Sequence, residues 1–252
     1  MHNQPNHVGY ECHKEKGVSV TQPPTAVLLP GTGSDEIFVR SVFEVPVSAL
    51  GARLLPPAPV PGPGLAEAYL TCLDAAARTA PVIAGGISFG AHLAAAWAVR
   101  NPTRCAGLLL ALPAWEGEPD GAPAAVAARH SAADIRARGT AAALASAIEG
   151  TPEWLATELS RAWPRYGDGL AASLEAAAAY PAPTLAELKT LDIPAGVTCF
   201  VGDPIHPESV AQSWADALPR AVLTAVRLEV MGADVEALGR ATVLALLRSL
   251  AG

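Results

Sequence analysis

The sequence predicts an α/β protein with a mostly parallel sheet of about six strands, helices on both faces and a helical insertion. Short apolar runs alternate with helical stretches along most of the chain, which is the pattern of parallel strands joined by crossover helices. The alternation is interrupted once, at residues 114–193, which contain no convincing strand. With 252 residues, the chain can bury a large core without disulfides or metal ions.

The first three predicted strands are separated by one helix each. "TAVLLPG" (25–31) is a buried strand that ends in a glycine loop, and a helix follows it from Asp35. "ARLLPP" (52–57) is a short second strand, and a helix follows its prolines. "PVIAGG" (81–86) is the third strand, and Asn-Pro at 101–102 closes the helix after it.

Three further runs complete the predicted sheet. They are "CAGLLLALP" (105–113), "AGVTCFVGD" (195–203) and "AVLTAVRLEV" (221–230). The last two are separated by one helical stretch, and another helical stretch ends the chain. Leucine-rich and β-branched runs of this length are typical of strands that are buried on both faces.

The insertion is rich in alanine and reads as about four short helices divided by glycine and proline. An all-helical segment between two strands of a parallel sheet lies where the loops at their carboxyl ends emerge. We therefore predict a helical cap formed by residues 114–193. The α/β core would consist of residues 21–113 and 194–252, with residues 1–20 as a loose tail.

Charge and hydropathy argue against nucleic-acid and membrane partners. The net charge is −7, and Lys and Arg form no cluster of the kind that phosphate binding needs. The uncharged stretch at residues 80–99 is long enough to imitate a membrane span. Because Pro81 and several glycines punctuate it, we predict a strand, a sharp turn and a helix instead.

The cysteines and the tail point to a reducing compartment and to no metal. The four cysteines are scattered and form no Cys-x-x-Cys pair, which is typical of free thiols. Residues 1–20 are polar and lack the apolar run of a secretory signal, so we expect a cytoplasmic protein. The tail residues His2, His7, Cys12 and His13 match no structural zinc pattern.

The sequence "GISFG" (86–90) follows a predicted strand and opens a predicted helix. In that context Gly-x-Ser-x-Gly is the nucleophile-elbow motif. The serine adopts a strained backbone at the turn, so the residues two positions away must be small. The strain lifts the Ser88 hydroxyl clear of the sheet above a helix N-terminus, which favours developing negative charge.

With this motif the chain resembles the α/β-hydrolase family over roughly residues 23–252. The resemblance implies that Ser88 is the nucleophile and that the backbone N–H groups of Thr32 and Phe89 form the oxyanion hole. Asp203, in "CFVGDPIHP" at the end of a late strand, stands in the place of the family's acid. The chain order of serine before aspartate is also that of the family.

The chain departs from the family at the histidine that normally follows the last strand. That place reads "LEVMGADVEALG", which aligns Ala233 with the histidine, and no histidine occurs after His206. His206 lies three residues after Asp203, at the carboxyl end of a predicted strand, and we take it as the substitute base. Pro207 suits the first position of a helix, so the alternative is that His206 only caps that helix or pairs with Asp203.

Other residues near the motifs receive structural interpretations. His92 lies one turn beyond Ser88 on the same helix and is expected to be a packed, hydrogen-bonded core residue. His130, in the insertion, is expected at the surface, although it could roof the pocket. Asp234 is expected to N-cap the final helix, because a carboxylate is a weak replacement for an imidazole base.

The resemblance implies a serine hydrolase that cleaves a carboxylic ester or thioester of a small to medium apolar substrate. The acyl-enzyme mechanism would use Ser88, Asp203 and His206, with neither cofactor nor metal. Two alternatives remain open, namely a cofactor-free lyase or isomerase that uses the oxyanion hole, and a catalytically silent binding protein. The expected partner is a small molecule, and the sequence leaves homo-oligomer formation open.

Overall fold

The computed structural model describes residues 23–251, so the tail of residues 1–20 lies outside the described residues together with its histidines and Cys12. Within that range one sheet has six strands in the order β2-β1-β3-β4-β5-β6, and all neighbouring strands are parallel. The strands are β1 (Thr25–Leu29), β2 (Arg53–Leu55), β3 (Val82–Ile87), β4 (Cys105–Ala111), β5 (Ala195–Val201) and β6 (Ala221–Arg227). The predicted parallel sheet is confirmed.

Helices connect and cover the strands. They are α1 (Glu36–Ala49), α2 (Leu65–Ala76), α3 (Phe89–Arg100), α4 (Pro123–Arg138), α5 (Thr140–Ile148), α6 (Glu153–Tyr166), α7 (Leu170–Ala178), α8 (Leu185–Leu188), α9 (Glu208–Ala217) and α10 (Glu236–Ala251). Short 3₁₀ helices span Pro102–Arg104, Gly167–Gly169 and Leu228–Gly232. In the part of the chain that is described, none of the helices combines the length and hydropathy needed to cross a bilayer.

The sheet is covered by helices on both faces. In β1, Val27 and Leu29 are buried in a cluster with residues of α2, α3 and α9. Ala26 and Leu28 are buried in a second cluster with residues of α1 and α10. Since successive side chains of a strand point to opposite faces, the strands must be apolar on both sides, which explains their continuous apolar runs.

The helices between β4 and β5 are α4 to α8, which we call the inserted helices. Their residues form a small hydrophobic cluster of their own that includes Trp163, Tyr166, Leu170 and Leu174. Among the described residues, the segment from 112 to 194 has no strand, as the sequence indicates. The predicted division into a core and a cap formed by residues 114–193 stays a prediction.

The sequence interpretation missed the fifth inserted helix, α8. The hydroxyl oxygen of Thr184 accepts a hydrogen bond from the amide of Glu187, at 3.2 Å. The Glu187 carboxylate in turn accepts one from the amide of Thr184, at 2.8 Å. This reciprocal capping box is encoded by the spacing Thr-x-x-Glu, and it stabilises a helix that is too short for periodicity to reveal.

Two predicted boundaries are wrong by a few residues. The last strand ends at Arg227 rather than at residue 230, because Arg227 pairs with Val201, the final residue of β5, and no partner remains beyond it. The chain continues as the 3₁₀ helix Leu228–Gly232. Pro207 is the N-cap of α9 rather than its first residue, since its ψ of 132° is extended.

A buried aspartate joins the core to the inserted helices. Asp35 caps α1 by accepting hydrogen bonds from the amides of Ile37 and Phe38. Its carboxylate, which is fully buried, also accepts from Arg161 at 2.8 Å and from Arg165 at 2.6 Å, both on α6. Burial alone would raise the pKa of Asp35, but the arginine and amide hydrogen bonds outweigh it and lower the pKa. One side chain therefore fixes α6 against the start of α1.

The crossing of α1 and α10 depends on a glycine. A Cβ added at Gly239 would lie 2.0 Å from the carbonyl oxygen of Val42. Gly239→Ala should therefore lower the free energy of unfolding by about 1–3 kcal/mol, although alanine normally stabilises a helix interior. Urea denaturation measures the change. Gly121→Ala is the control, because nothing lies within 4 Å of a Cβ there. Equal unfolding midpoints for the two variants would contradict the prediction.

Candidate active site

Ser88 connects β3 to α3 with a strained backbone. Its φ of 53° and ψ of −115° lie in a region that residues with a Cβ rarely occupy. The amide of Ser88 donates to the carbonyl of Ala111 at 2.8 Å, which holds the turn to β4. A Cβ at Gly86 or Gly90 would lie 2.4 or 2.1 Å from the carbonyl oxygen of Leu29, so both neighbours must be glycine.

The Ser88 hydroxyl lies at one end of a hydrogen-bonded chain. The distance from Ser88 Oγ to His206 Nε2 is 3.0 Å. On the other side of the ring, His206 Nδ1 lies 2.8 Å from Asp203 Oδ2. With Nδ1–H donating to the carboxylate, Nε2 is free to accept the serine proton. The side chains of His206 and Asp203 are only 17% and 9% exposed.

The loop after β5 supplies both the acid and the imidazole. Because β3 and β5 are parallel and separated by β4, their carboxyl ends lie at one edge of the sheet, about 10 Å apart. Asp203 Oδ1 accepts hydrogen bonds from the amides of Ile205 and His206, at 2.7 and 3.2 Å. This turn brings the imidazole of His206 back towards Ser88.

The same contacts keep the acid ionised. Burial alone would raise the pKa of Asp203, but the hydrogen bond and charge of His206 and the two amides outweigh it, so the pKa is lowered. An ionised carboxylate fixes the tautomer of His206 with Nδ1 protonated.

The amides predicted for the oxyanion hole flank the serine. Thr32 follows β1, the strand beside β3, and lines the same cavity as Ser88. Phe89 is the first residue of α3, where amide groups have no partner within the helix. Within residues 23–251, no backbone carbonyl accepts a hydrogen bond from either amide. Their role as oxyanion donors stays a prediction.

A cavity of about 450 Å³ opens at Ser88. The inserted helices and the carboxyl edge of the sheet enclose it together. Much of the wall is apolar and includes Phe38, Trp115, Trp154, Leu155, Leu159 and Met231. A space of this size and character suits a small to medium apolar ligand.

His92 and His130 do not join the hydrogen-bonded chain. His92 is fully buried, and its Nε2 accepts a hydrogen bond from the amide of Ala114 at 2.9 Å. Burial and the charge of His206 lower the pKa of His92 to about 3, which keeps the ring neutral. The expected core role of His92 therefore fits its surroundings. His130 is exposed and is not part of the cavity wall.

The segment where the family's histidine would stand contributes no polar group to the site. Ala233 is exposed, outside the cavity wall, and follows the 3₁₀ helix. The Asp234 carboxylate lies at the start of α10, where Arg240 and the amides of Glu236 and Ala237 lower its pKa. Asp234 therefore lies just before the first turn of the final helix and not in the site.

Sequence reasoning missed a further polar residue of the cavity wall, Glu158 on α6. Its side chain is buried, lines the cavity, and accepts a hydrogen bond from the hydroxyl of Ser34. Burial raises the pKa of Glu158 to about 7. The available signal was its position on the apolar face of α6, since Trp154 and Leu155 precede it by one turn and Ala162 follows one turn later.

The raised pKa makes stability depend on pH. An unfolded chain releases the Glu158 proton near the usual 4.5, whereas the folded protein holds it to about 7. The contribution of Glu158 to stability is therefore complete below pH 4.5 and is lost as the pH rises through 7, by up to ~3 kcal/mol. Denaturant unfolding of the wild type and Glu158→Gln from pH 4 to 8 should show this slope in the wild type only.

The control for this measurement is Glu153→Gln, because Glu153 is an exposed glutamate on the same helix. Its free energy of unfolding should follow that of the wild type at every pH. Parallel profiles for the wild type and Glu158→Gln would show that Glu158 is not the titrating group.

No protein-family model matches the chain, and a search of curated proteins finds no match. Solved structures resemble it throughout. The enol-lactonase from Burkholderia xenovorans LB400 has 19% identity and a TM-score of 0.66, covering 94% of both chains. A thermophilic esterase from Thermogutta terrifontis has 19% identity and a TM-score of 0.58, covering 81% of both chains.

A third structure, the thioesterase domain from the curacin biosynthetic pathway, has 17% identity and a TM-score of 0.56, covering 92% of both chains. At such low identity these similarities concern the fold and not the reaction. The three structures are similar to this chain over most of its length. The chain therefore has the α/β-hydrolase fold.

Proposed function

We propose that the protein is a serine hydrolase that cleaves a carboxylic ester or thioester through an acyl-enzyme on Ser88. The observation that carries the proposal is the hydrogen-bonded chain from Ser88 to His206 to Asp203, with distances of 3.0 and 2.8 Å, at the wall of an apolar cavity. A strained serine, a base within hydrogen-bond reach and a buried acid that orients the base are what nucleophilic catalysis requires.

In the first step, Ser88 Oγ attacks the carbonyl carbon of the bound ester. His206 Nε2 takes the hydroxyl proton as the new bond forms, and Asp203 stabilises the resulting imidazolium. The carbonyl oxygen becomes an oxyanion. The amides of Thr32 and Phe89 would hold it, with further support from the positive N-terminal end of α3.

In the second step, the tetrahedral intermediate collapses and the bond to the alcohol or thiol breaks. His206 gives its proton to the departing oxygen or sulfur, which leaves the acyl group on Ser88. A water molecule then attacks the acyl carbon while His206 again takes a proton. Collapse of this second intermediate releases the acid and restores the serine hydroxyl.

The cavity supports the proposed substrate class. Its wall is mostly apolar and its volume is about 450 Å³, so binding would come chiefly from burial of a small to medium apolar group. Three of the similar structures are an enol-lactonase, an esterase and a thioesterase domain. These support an ester or thioester as the bond that is cleaved.

Serine labelling tests the nucleophile. A fluorophosphonate should label the wild type, and Ser88→Ala should lose the label completely because the attacking oxygen is gone. Ser131→Ala, at another serine of the cavity wall, should still be labelled. Intact-mass spectrometry measures the adduct. Absence of the adduct in folded wild-type protein would favour a lyase, an isomerase or a binding protein with the same fold.

The role of His206 is tested by its removal. His206→Ala should lower kcat for p-nitrophenyl butyrate by about 10⁴–10⁶, since only the oxyanion hole and binding would remain. His130→Ala, at an exposed histidine outside the cavity wall, should keep wild-type kcat. Steady-state kinetics on both variants make the comparison, and unchanged turnover in His206→Ala would remove His206 from the mechanism.

Ala233→His tests whether activity is limited by the absence of the family's usual histidine. Ala233 is exposed and does not line the cavity, so a histidine there should bring no gain in kcat. A large gain in the same kinetic assay would instead mean that the native arrangement is degenerate.

A further inference from the structure

We propose that Glu158, Ser34 and Trp163 form a second recognition site in the cavity, which selects an ester bearing an uncharged hydroxyl group away from the cleaved bond. This inference rests on the proposed function, because it names the substrate class of the same cavity. We call these three residues the polar subsite. They line the cavity that Ser88 lines, and each is more than nine-tenths buried.

The polar subsite has unused hydrogen-bonding capacity. Glu158 Oε1 accepts from the Ser34 hydroxyl, but within residues 23–251 nothing forms a hydrogen bond with Glu158 Oε2. The indole N–H of Trp163 is buried and has no acceptor in the same part of the chain. Buried polar groups without partners are costly, and in a cavity wall the missing partner can come from a ligand.

The three side chains of the polar subsite meet at one loop. A Cβ at Gly33 would lie 3.0 Å from Trp163 Nε1, so the indole nitrogen lies near the residue that precedes Ser34. Glu158 is bound to Ser34 itself. This loop also contains Thr32, the proposed oxyanion donor. The polar subsite therefore adjoins the loop that carries the proposed oxyanion donor.

The charges around the polar subsite favour an uncharged ligand group. An anionic ligand group would face the carboxyl of Glu158 and, behind it, the buried carboxylate of Asp35, whose charge is already paired with Arg161 and Arg165. A cationic group would lose its hydration in a largely apolar cavity. A hydroxyl avoids both costs, because it can donate to Glu158 and accept from Trp163.

The functional consequence is discrimination against purely alkyl esters. A hydroxyl would satisfy the free carboxyl oxygen and the indole N–H, whereas a methylene in the same place leaves both unpaired. Sites that hydrogen-bond a substrate hydroxyl reject the analogue that lacks it far more strongly than apolar pockets reject a change in size. We expect kcat/KM to favour the hydroxylated ester by at least about tenfold.

The experiment compares matched esters. On the acyl side they are methyl hexanoate, methyl 3-hydroxyhexanoate and methyl 6-hydroxyhexanoate, and on the alcohol side ethyl and 2-hydroxyethyl hexanoate. At least one hydroxylated ester should exceed its alkyl partner in kcat/KM, and the side on which it does so locates the hydroxyl.

The variants test which residues cause this preference. In Glu158→Leu the ratio of kcat/KM for the hydroxylated ester to that for its alkyl partner should fall to about one, and in Trp163→Phe it should fall partway. Glu153→Gln, at an exposed position of the same helix outside the cavity wall, should keep the wild-type ratio.

Glu158→Gln distinguishes a loss of hydrogen bonding from a loss of folding. Glu158→Gln keeps the shape and both kinds of hydrogen-bonding group, so it should retain much of the selectivity that Glu158→Leu loses. Circular dichroism checks that each variant is folded. If Glu158→Leu does not fold, the test rests on the lowered ratio in Trp163→Phe. An unchanged ratio in every folded variant would overturn the proposal.

Binding to Ser88→Ala separates this proposal from the proposed function. Titration calorimetry should give a Kd for the preferred hydroxylated ester at least about tenfold below that of its alkyl partner. If the wild type cleaves no ester but Ser88→Ala shows this preference, the hydrolase proposal fails and the polar subsite stands. If Ser88→Ala binds both esters equally, the polar subsite is overturned whether or not the wild type is a hydrolase.

Discussion

The carbonyl oxygen of Leu29, at the end of β1, lies so close to the turn at Ser88 that only glycine fits at positions 86 and 90. A backbone such as that of Ser88 costs on the order of 1–3 kcal/mol and persists only where its surroundings leave no alternative. Here β1 and β4 enclose β3 on both sides, and α3 packs behind the turn. The sheet therefore holds the serine in a conformation that a free turn would relax, with its hydroxyl directed at the imidazole of His206.

Much of this arrangement could be predicted from the sequence because its determinants are local. The apolar runs and the glycines on either side of Ser88 predict parallel strands, and parallel strands bring the carboxyl ends of β1, β3 and β5 to one edge of the sheet. His206 could be singled out because no later histidine exists and because three residues separate it from Asp203. The structure brings the three side chains together, while their catalytic role stays a prediction.

What the sequence could not reveal depends on contacts between distant segments. Glu158 reads as an ordinary glutamate until its partner Ser34, 124 positions away, is known. The pairing of Asp35 with Arg161 spans 126 positions and is likewise absent from any local pattern. Such pairings arise only when α6 packs over the start of α1, and the sequence shows the two helices without their relative position.

Because the acid and the proposed base lie on one loop, the segment after the last strand does not have to supply a histidine. In the family pattern the segment after the last strand must present a histidine, whereas here Leu228 and Met231 of that segment contribute apolar wall to the cavity. The proposed catalytic groups thus lie on the loops after β1, β3 and β5, and α6 adds Glu158 to the cavity wall. Because one aspartate orients His206 and also accepts the amides that shape its loop, loss of that carboxylate would disturb the position and the tautomer of the imidazole together.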